Sequence, residues 1–322
     1  MVLKITQRVY KQLLFHSMYI YMHQLCHMPQ IAESELILND RGAVYHLDVK
    51  PDELADTIIL VGDPDRVKVV SRYFDKIEFT CQHREFITHT GFISNKRISV
   101  VSTGIGPDNV DIAMNEIDAL ANIDLISRQV KKNLTSLTIF RFGTSGSLQE
   151  HIPIDSLVAG THGLGFDNVM HFYNLPNDNA ETKILDAFKH HTNLISGNVI
   201  PYLYAGSEAL LSALPSHYMK GITVACPGFY GPQGRILRLS LAFPGLIEKL
   251  TSFEHNEHFI SNFEMESSAI YGLGKAQGHQ CLSLNVIVAN RVRKEFSKDS
   301  GKAVVQLIEI SLEVIGSMPK KV

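Results

Sequence analysis

Five short, largely apolar runs constrain this chain more than any other feature. Thr57-Ile58-Ile59-Leu60-Val61 leads into Gly62-Asp63-Pro64-Asp65. The run Ile98 to Ser102 leads into Thr103-Gly104-Ile105-Gly106, and Leu137 to Phe142 into Gly143-Thr144-Ser145-Gly146. Ile222 to Ala225 and Leu284 to Val288 are two more. Runs without polar alternation suit strands covered on both faces, since a solvated face would need polar residues at every second position. Helical spacing lies between them, with Val110, Met114, Ile117 and Ala121 in one segment and Val305, Ile308, Leu312 and Ile315 in another. Strands alternating with helices imply an α/β architecture. Open α/β sheets bind ligands beyond the carboxyl ends of their strands, so the three Gly-rich strand ends are where chemistry is expected.

Composition excludes several classes. Of 322 residues, 45% are apolar and 20% charged, which supports an ordinary buried core. The net charge of −3 gives no basic excess for a nucleic-acid partner. Cys26, Cys81, Cys226 and Cys281 are dispersed, so reduced thiols and a cytoplasmic location are expected. No apolar stretch reaches the roughly 18 residues that a membrane span needs. Residues 1–30 read as an N-terminal extension outside the fold, basic and acid-free, with Met28 a plausible start. Residues 31–322 read as one domain, since no linker or internal repeat divides them.

The glycine loops match no common fingerprint. Gly104-Ile105-Gly106-Pro107-Asp108-Asn109 has Asn where a dinucleotide site needs its last glycine, and Gly143-Thr144-Ser145-Gly146-Ser147 misses the nucleophile elbow. The charges beside these loops say more. Arg66 follows a turn and Arg141 stands at the end of an apolar strand, where a charge is costly without a counter-charge. Each could pair with a structural carboxylate. Together with Thr144 and the glycine amides they could also cradle an oxyanion. Glu264 and Glu266 stand two apart at a helix start, as acceptors for vicinal hydroxyls or as ordinary acidic decoration of a helix N-terminus. Cys26 with His23 and His27, and the pair His255 and His258, lack the ligand count for a metal, so none is expected.

Taken in order, these segments resemble the nucleoside phosphorylase superfamily, in its hexameric uridine phosphorylase branch. The carriers are Val61 to Arg66, His83-Arg84-Glu85-Phe86, Ser102 to Gly106, Arg141 to Gly146, Phe263 to Ser267 and Val288-Ala289-Asn290-Arg291. The resemblance covers about residues 31–318 and implies a three-layer α/β/α domain with a central mixed, mostly parallel sheet. It implies a pentosyltransferase in pyrimidine salvage, in which orthophosphate attacks C1′ of uridine, or of deoxyuridine, to give uracil and ribose 1-phosphate. Gly62, Arg66, Arg141 and Thr144 would hold phosphate, joined by Arg84 from a neighbouring subunit. His46, in Tyr45-His46-Leu47, would cross subunits to the 5′-hydroxyl. Glu264, Met265 and Glu266 would surround the ribose. Gln233, Arg235 and Arg291 would read the base, with Gln233, Arg235 and Arg141 carrying the catalysis. Asn290 stands near the position of the aspartic acid of purine enzymes and cannot donate a proton as that acid does.

No organic cofactor is implied, and orthophosphate is a co-substrate. A potassium ion at a dimer contact through Glu85 is left open, because Asn109 stands where relatives have Ser. A homodimer with shared sites is implied, three of them forming a hexamer. The alternatives are a purine phosphorylase or nucleosidase on the same fold, or a nucleoside-binding protein without turnover. The chain departs from the family in a basic insertion over 127–136 and in Tyr230-Gly231-Pro232-Gln233, whose proline comes one step late. Replacing Arg141 with Ala is expected to remove most phosphorolysis and leave the fold intact.

Overall fold

The computed structural model describes residues 30–194 and 199–319. The expected extension, with its His23, Cys26 and His27, lies outside the described residues but for its last position. Five apolar runs become β1 (Thr57–Val61), β4 (Lys96–Ser102), β7 (Thr138–Ser147), β10 (Met219–Ala225) and β13 (Gln280–Asn290). Strands β2 (Lys76–His83), β3 (Phe86–Ile93), β8 (Leu157–Gly165), β9 (Tyr202–Ala205), β11 (Glu254–His255), β12 (His258–Glu264) and β14 (Glu295–Phe296) complete one twelve-stranded sheet.

Parallel ladders join β1 to β4 and β7, β7 to β13, and β10 to β8 and β12. Antiparallel pairings add β2 and β3 beyond β4, and join β13 to β8. An antiparallel contact of β12 with the end of β7 closes β12-β10-β8-β13-β7 into a small barrel. Register breaks in β10 and β13 supply the bend that closure requires.

Alternate residues of β1 face opposite layers, as a strand covered on both sides must. Ile58 and Leu60 pack with α2 (Pro107–Asn122) and α6 (Ser267–Gln277). Ile59 and Val61 pack with α1 (Pro64–Ser71) and α7 (Ser300–Ser317). This is the three-layer α/β/α arrangement. Helices α3 (Asn179–Thr192), α4 (Glu208–Ser212) and α5 (Leu246–Thr251) cover the remaining strands. The insertion near 127–136 forms, with the residues before it, a small hairpin of β5 (Ile123–Asp124) and β6 (Gln129–Val130). Arg128 at its turn donates to the carbonyls of Ile31, Ala32 and Leu36, tying down the start of the domain.

One expectation is corrected. The strand bearing Arg141 does not end at Phe142 in a glycine turn. It runs on through Gly143-Thr144-Ser145-Gly146 to Ser147, paired residue by residue with β13. The glycines serve close packing there. A Cβ on Gly143 would lie 1.7 Å from Arg141 Nη1, and one on Gly146 would press within 3.3 Å of the Phe263 ring. Arg141 is therefore mid-strand, with its side chain folded over the bare backbone of Gly143.

Candidate active site

A cavity of about 740 Å³ opens where β1, β4 and β12 end, beside the middle of β7. That volume is ordinary for a nucleoside-sized ligand. Gly62, Arg66, Arg141, Thr144, Gln233, Arg235, Glu264, Met265 and Glu266 all line it. Nine residues named from the sequence thus meet in one place.

Each loop has a local reason for its shape. Asp63 caps α1 by accepting from the Asp65 N–H at 3.0 Å, with Pro64 in the first turn, and this delivers Arg66 to the cavity wall. Gly104 and Gly106 adopt φ of +74° and +99°, which L side chains avoid, and a Cβ on Gly104 would strike Asn109 Nδ2 at 2.5 Å. Glu266 is the N-cap residue of α6. Its Oε1 accepts from the Gly106 N–H at 2.9 Å, so it ties the glycine loop to the helix start.

Arg141 is almost wholly buried and meets both carboxylates. Nη2 donates to Glu266 Oε2 and lies 3.1 Å from Glu264 Oε2. Burial works against its charge, but Glu264 and Glu266 outweigh it and hold the guanidinium above its ordinary value. Glu264 turns away from the role of a simple sugar ligand. Its oxygens accept from the backbone N–H groups of Glu266 and Ser267 at 3.0–3.1 Å, so it also caps α6. Burial raises the Glu264 carboxyl to about 7, Arg141 opposes the rise, and Glu266 adds to it. Arg66 is pushed below its ordinary value by burial and by Arg141, with Asp63 and Glu266 pulling the other way. Two cations so close, against fixed dipoles, make a receptor for a multiply charged anion. Removing Arg141 would strand two buried carboxylates, so a stability cost is expected beside the loss of activity.

The other end is built on a loop. A short 3-10 turn at Gly231–Gln233 presents Gln233, which is buried, and Arg235, which is half-buried. Arg235 Nη1 donates to Gln233 Oε1 at 2.5 Å and to the Phe229 carbonyl at 2.6 Å. Its guanidinium lies 3.7 Å from the centre of the Phe229 ring. Burial and nearby Arg291 lower it to about 10. The sequence offered no separate signal for Phe229, whose place depends on the fold of the turn.

Three named residues do not line the cavity. Arg291 donates to the Gln233 carbonyl at 3.0 Å and lies 5.5 Å from the Phe263 ring centre, so it braces the turn that bears Gln233. His46 and Arg84 sit together elsewhere. His46 Nδ1 lies 2.7 Å from Glu116 Oε1, and Glu116 also accepts from the His46 and Leu47 N–H groups. The Glu116 carboxylate places the ring proton on Nδ1 and leaves Nε2 without a hydrogen bond among the described residues. Arg84, in the β2–β3 turn at φ 55°, stacks 5.7 Å from the Tyr45 ring. Asn290 is also no base reader. Its amide donates to the Gln149 and Ile152 carbonyls and its oxygen accepts from Val292 and Arg293, all four contacts being structural. Glu85 and Asn109 both line the cavity beside Gly104. Among the described residues no group of three His, Cys, Asp or Glu could hold a metal ion.

The sequence pattern of the phosphorylase superfamily matches residues 56–316. The chain belongs to that superfamily. It is 28% identical to a uridine phosphorylase of Thermococcus kodakarensis over 86% of this chain and 88% of the relative. It is 27% identical to the uridine phosphorylase of Escherichia coli over 79% of this chain and 89% of that protein. A solved Trypanosoma brucei nucleoside phosphorylase, described as showing uridine phosphorylase activity, superimposes with a TM-score of 0.81. It is 32% identical, with 88% of this chain and all of the other covered. In this chain the charged cluster around Arg141 and the turn bearing Gln233 and Arg235 line one cavity.

Proposed function

We propose that this protein cleaves uridine, and deoxyuridine as a close analogue, with orthophosphate to give uracil and the pentose 1-phosphate. One observation carries the reading: Arg66 and Arg141 share a cavity with the amide–guanidinium pair Gln233 and Arg235. The first pair suits a dianion. The second offers donors and an acceptor matched to the O4, N3–H and O2 edge of uracil. Relatives named as uridine phosphorylases support the same substrate.

The chemistry follows from charge. Phosphate held by Arg66, Arg141, Thr144 and the Gly62 amide lies beneath C1′. Glu266, whose oxygens keep lone pairs beyond those given to Gly106 and Arg141, accepts from the ribose hydroxyls, and Met265 packs against the sugar. As the glycosidic bond breaks, the ribose becomes oxocarbenium-like and negative charge moves onto uracil. Arg235 and Gln233 receive it on O2 and O4, and Phe229 covers the base. No covalent nucleophile is required. Fixing both reactants accounts for much of the rate.

His46 and Arg84 form one patch outside their own cavity, which supports a homodimer in which the patch of one copy completes the cavity of the other. Three dimers would form the hexamer.

The test is product identity. Uridine and orthophosphate should yield uracil and ribose 1-phosphate in equal amounts, with no uracil when phosphate is left out. Free ribose, or release without phosphate, would make the protein a nucleosidase. For the dimer, an Arg84→Ala chain mixed and reassembled with an Arg235→Ala chain should recover part of the lost turnover. An active monomer in sedimentation would contradict it.

A further inference from the structure

We propose that Asn285 is a positioning residue for orthophosphate, acting through Arg141. It lies in the middle of β13 and is fully buried. Its register partner on β7 is Gly143, and that of Ser283 is Arg141. Arg141 leans over Gly143 and places Nη1 2.8 Å from Asn285 Oδ1. An arginine has only donors, so the amide oxygen must face it and the amide nitrogen must face away. That nitrogen donates to Ser283 Oγ at 3.1 Å, and Ser283 Oγ accepts from Ser267 Oγ at 2.8 Å. The chain therefore runs from the guanidinium to the first residue of α6 with each amide atom used.

The arrangement does something that the two carboxylates cannot do alone. Glu264 and Glu266 both hold Nη2, one end of a flat fork. A fork held at one end can still rotate about that end. The bond to Asn285 holds the other end and fixes the plane of the guanidinium. A neutral acceptor is the right group for this. A third carboxylate would satisfy Nη1 equally well and would add negative charge beside a site meant for phosphate. Gly143 completes the device, since any side chain there would fill the space of Nη1 and of Asn285 Oδ1.

The inference rests on the phosphate assignment above but not on the identity of the nucleoside. The test is the rise in melting temperature that orthophosphate gives the full-length protein, which reports binding without turnover, followed by steady-state kinetics. Asn285→Ala should lose most of the phosphate-induced shift and raise KM for orthophosphate about tenfold, as expected for a lost hydrogen bond to a charged group. KM for uridine should move less than twofold. Asn285→Asp keeps the acceptor and adds charge, and should bind phosphate more weakly still. Equal phosphate shifts in wild type and both variants would overturn the proposal, as would KM values for phosphate and uridine that rise together. If Asn285→Ala does not fold, Asn285→Asp alone decides, because a merely structural acceptor would bind phosphate as wild type does. A wild type that is stabilised by phosphate yet does not cleave uridine would remove the nucleoside reading and leave this one standing.

Discussion

The two ends of the cavity are built differently. The proposed phosphate end stands on β1, β7 and the start of α6, and its buried Arg141 bonds to the buried Glu264, Glu266 and Asn285. The proposed base end stands on a loop, where Phe229 and Tyr230 are half exposed and Arg235 is held by the Gln233 side chain, the Phe229 carbonyl and the Phe229 ring. The difference teaches where each property resides. A group that must hold an anion through bond cleavage needs a frame that does not yield, and the sheet supplies it. A group that must choose a base can sit on a segment whose sequence changes without disturbing the sheet.

The largest effect tests the rigid end. Arg141→Ala should lower kcat/KM by about 10²–10³-fold, the scale of losing one preorganised charge donor. It should also cost roughly 3–5 kcal/mol of stability, because Glu264 and Glu266 are left buried without their cation. Chemical unfolding checks the second part, and unchanged stability would show that the carboxylates find water. Arg235→Ala should act at the other end alone. A charge-assisted bond is worth about 1.5–3 kcal/mol, so kcat/KM for uridine should fall on the order of 10–100-fold with KM for phosphate and the melting temperature little changed. A rise in KM for phosphate would show that the two ends are coupled.

The third test is the pH dependence. Glu264 is raised from an unfolded value near 4.5 to about 7. The folded state then binds this proton more tightly, so the stability contribution is full below about pH 4.5 and is lost as pH rises through 7. Glu264→Gln cannot titrate, and urea unfolding across that window should show a flatter profile than wild type. At the base end Arg235, lowered to about 10, keeps its charge throughout the same window. Identical profiles would remove Glu264 as the source.

The rigid end was the more legible in the sequence, although its inner part was not. The apolar runs, the turn before Arg66 and the pair Glu264 and Glu266 at a helix start could all be read locally, because each depends on neighbours a few residues away. The strand through Gly143 to Ser147 was hidden because glycines there read as a turn. Their real cause is Arg141 and Phe263 packing across the bare backbone. Asn285 was hidden inside an apolar run, and its meaning depends on a strand 144 residues distant. Glu116, which fixes His46 from 70 residues away, left no local trace either. At the loop end Tyr230-Gly231-Pro232-Gln233 carries its proline one step late. The structure still brings Gln233 and Arg235 into the cavity, since the 3-10 turn absorbs the shift.

The most direct test of the account compares kcat/KM for uridine with that for inosine and adenosine, all at saturating orthophosphate. Uridine should exceed both purine nucleosides by about 100-fold or more, the discrimination expected when buried donors and acceptors are left unpaired by the wrong base. Inosine or adenosine cleaved as well as uridine would contradict the assignment of Gln233 and Arg235, and with it the division of the cavity into a phosphate end and a pyrimidine end.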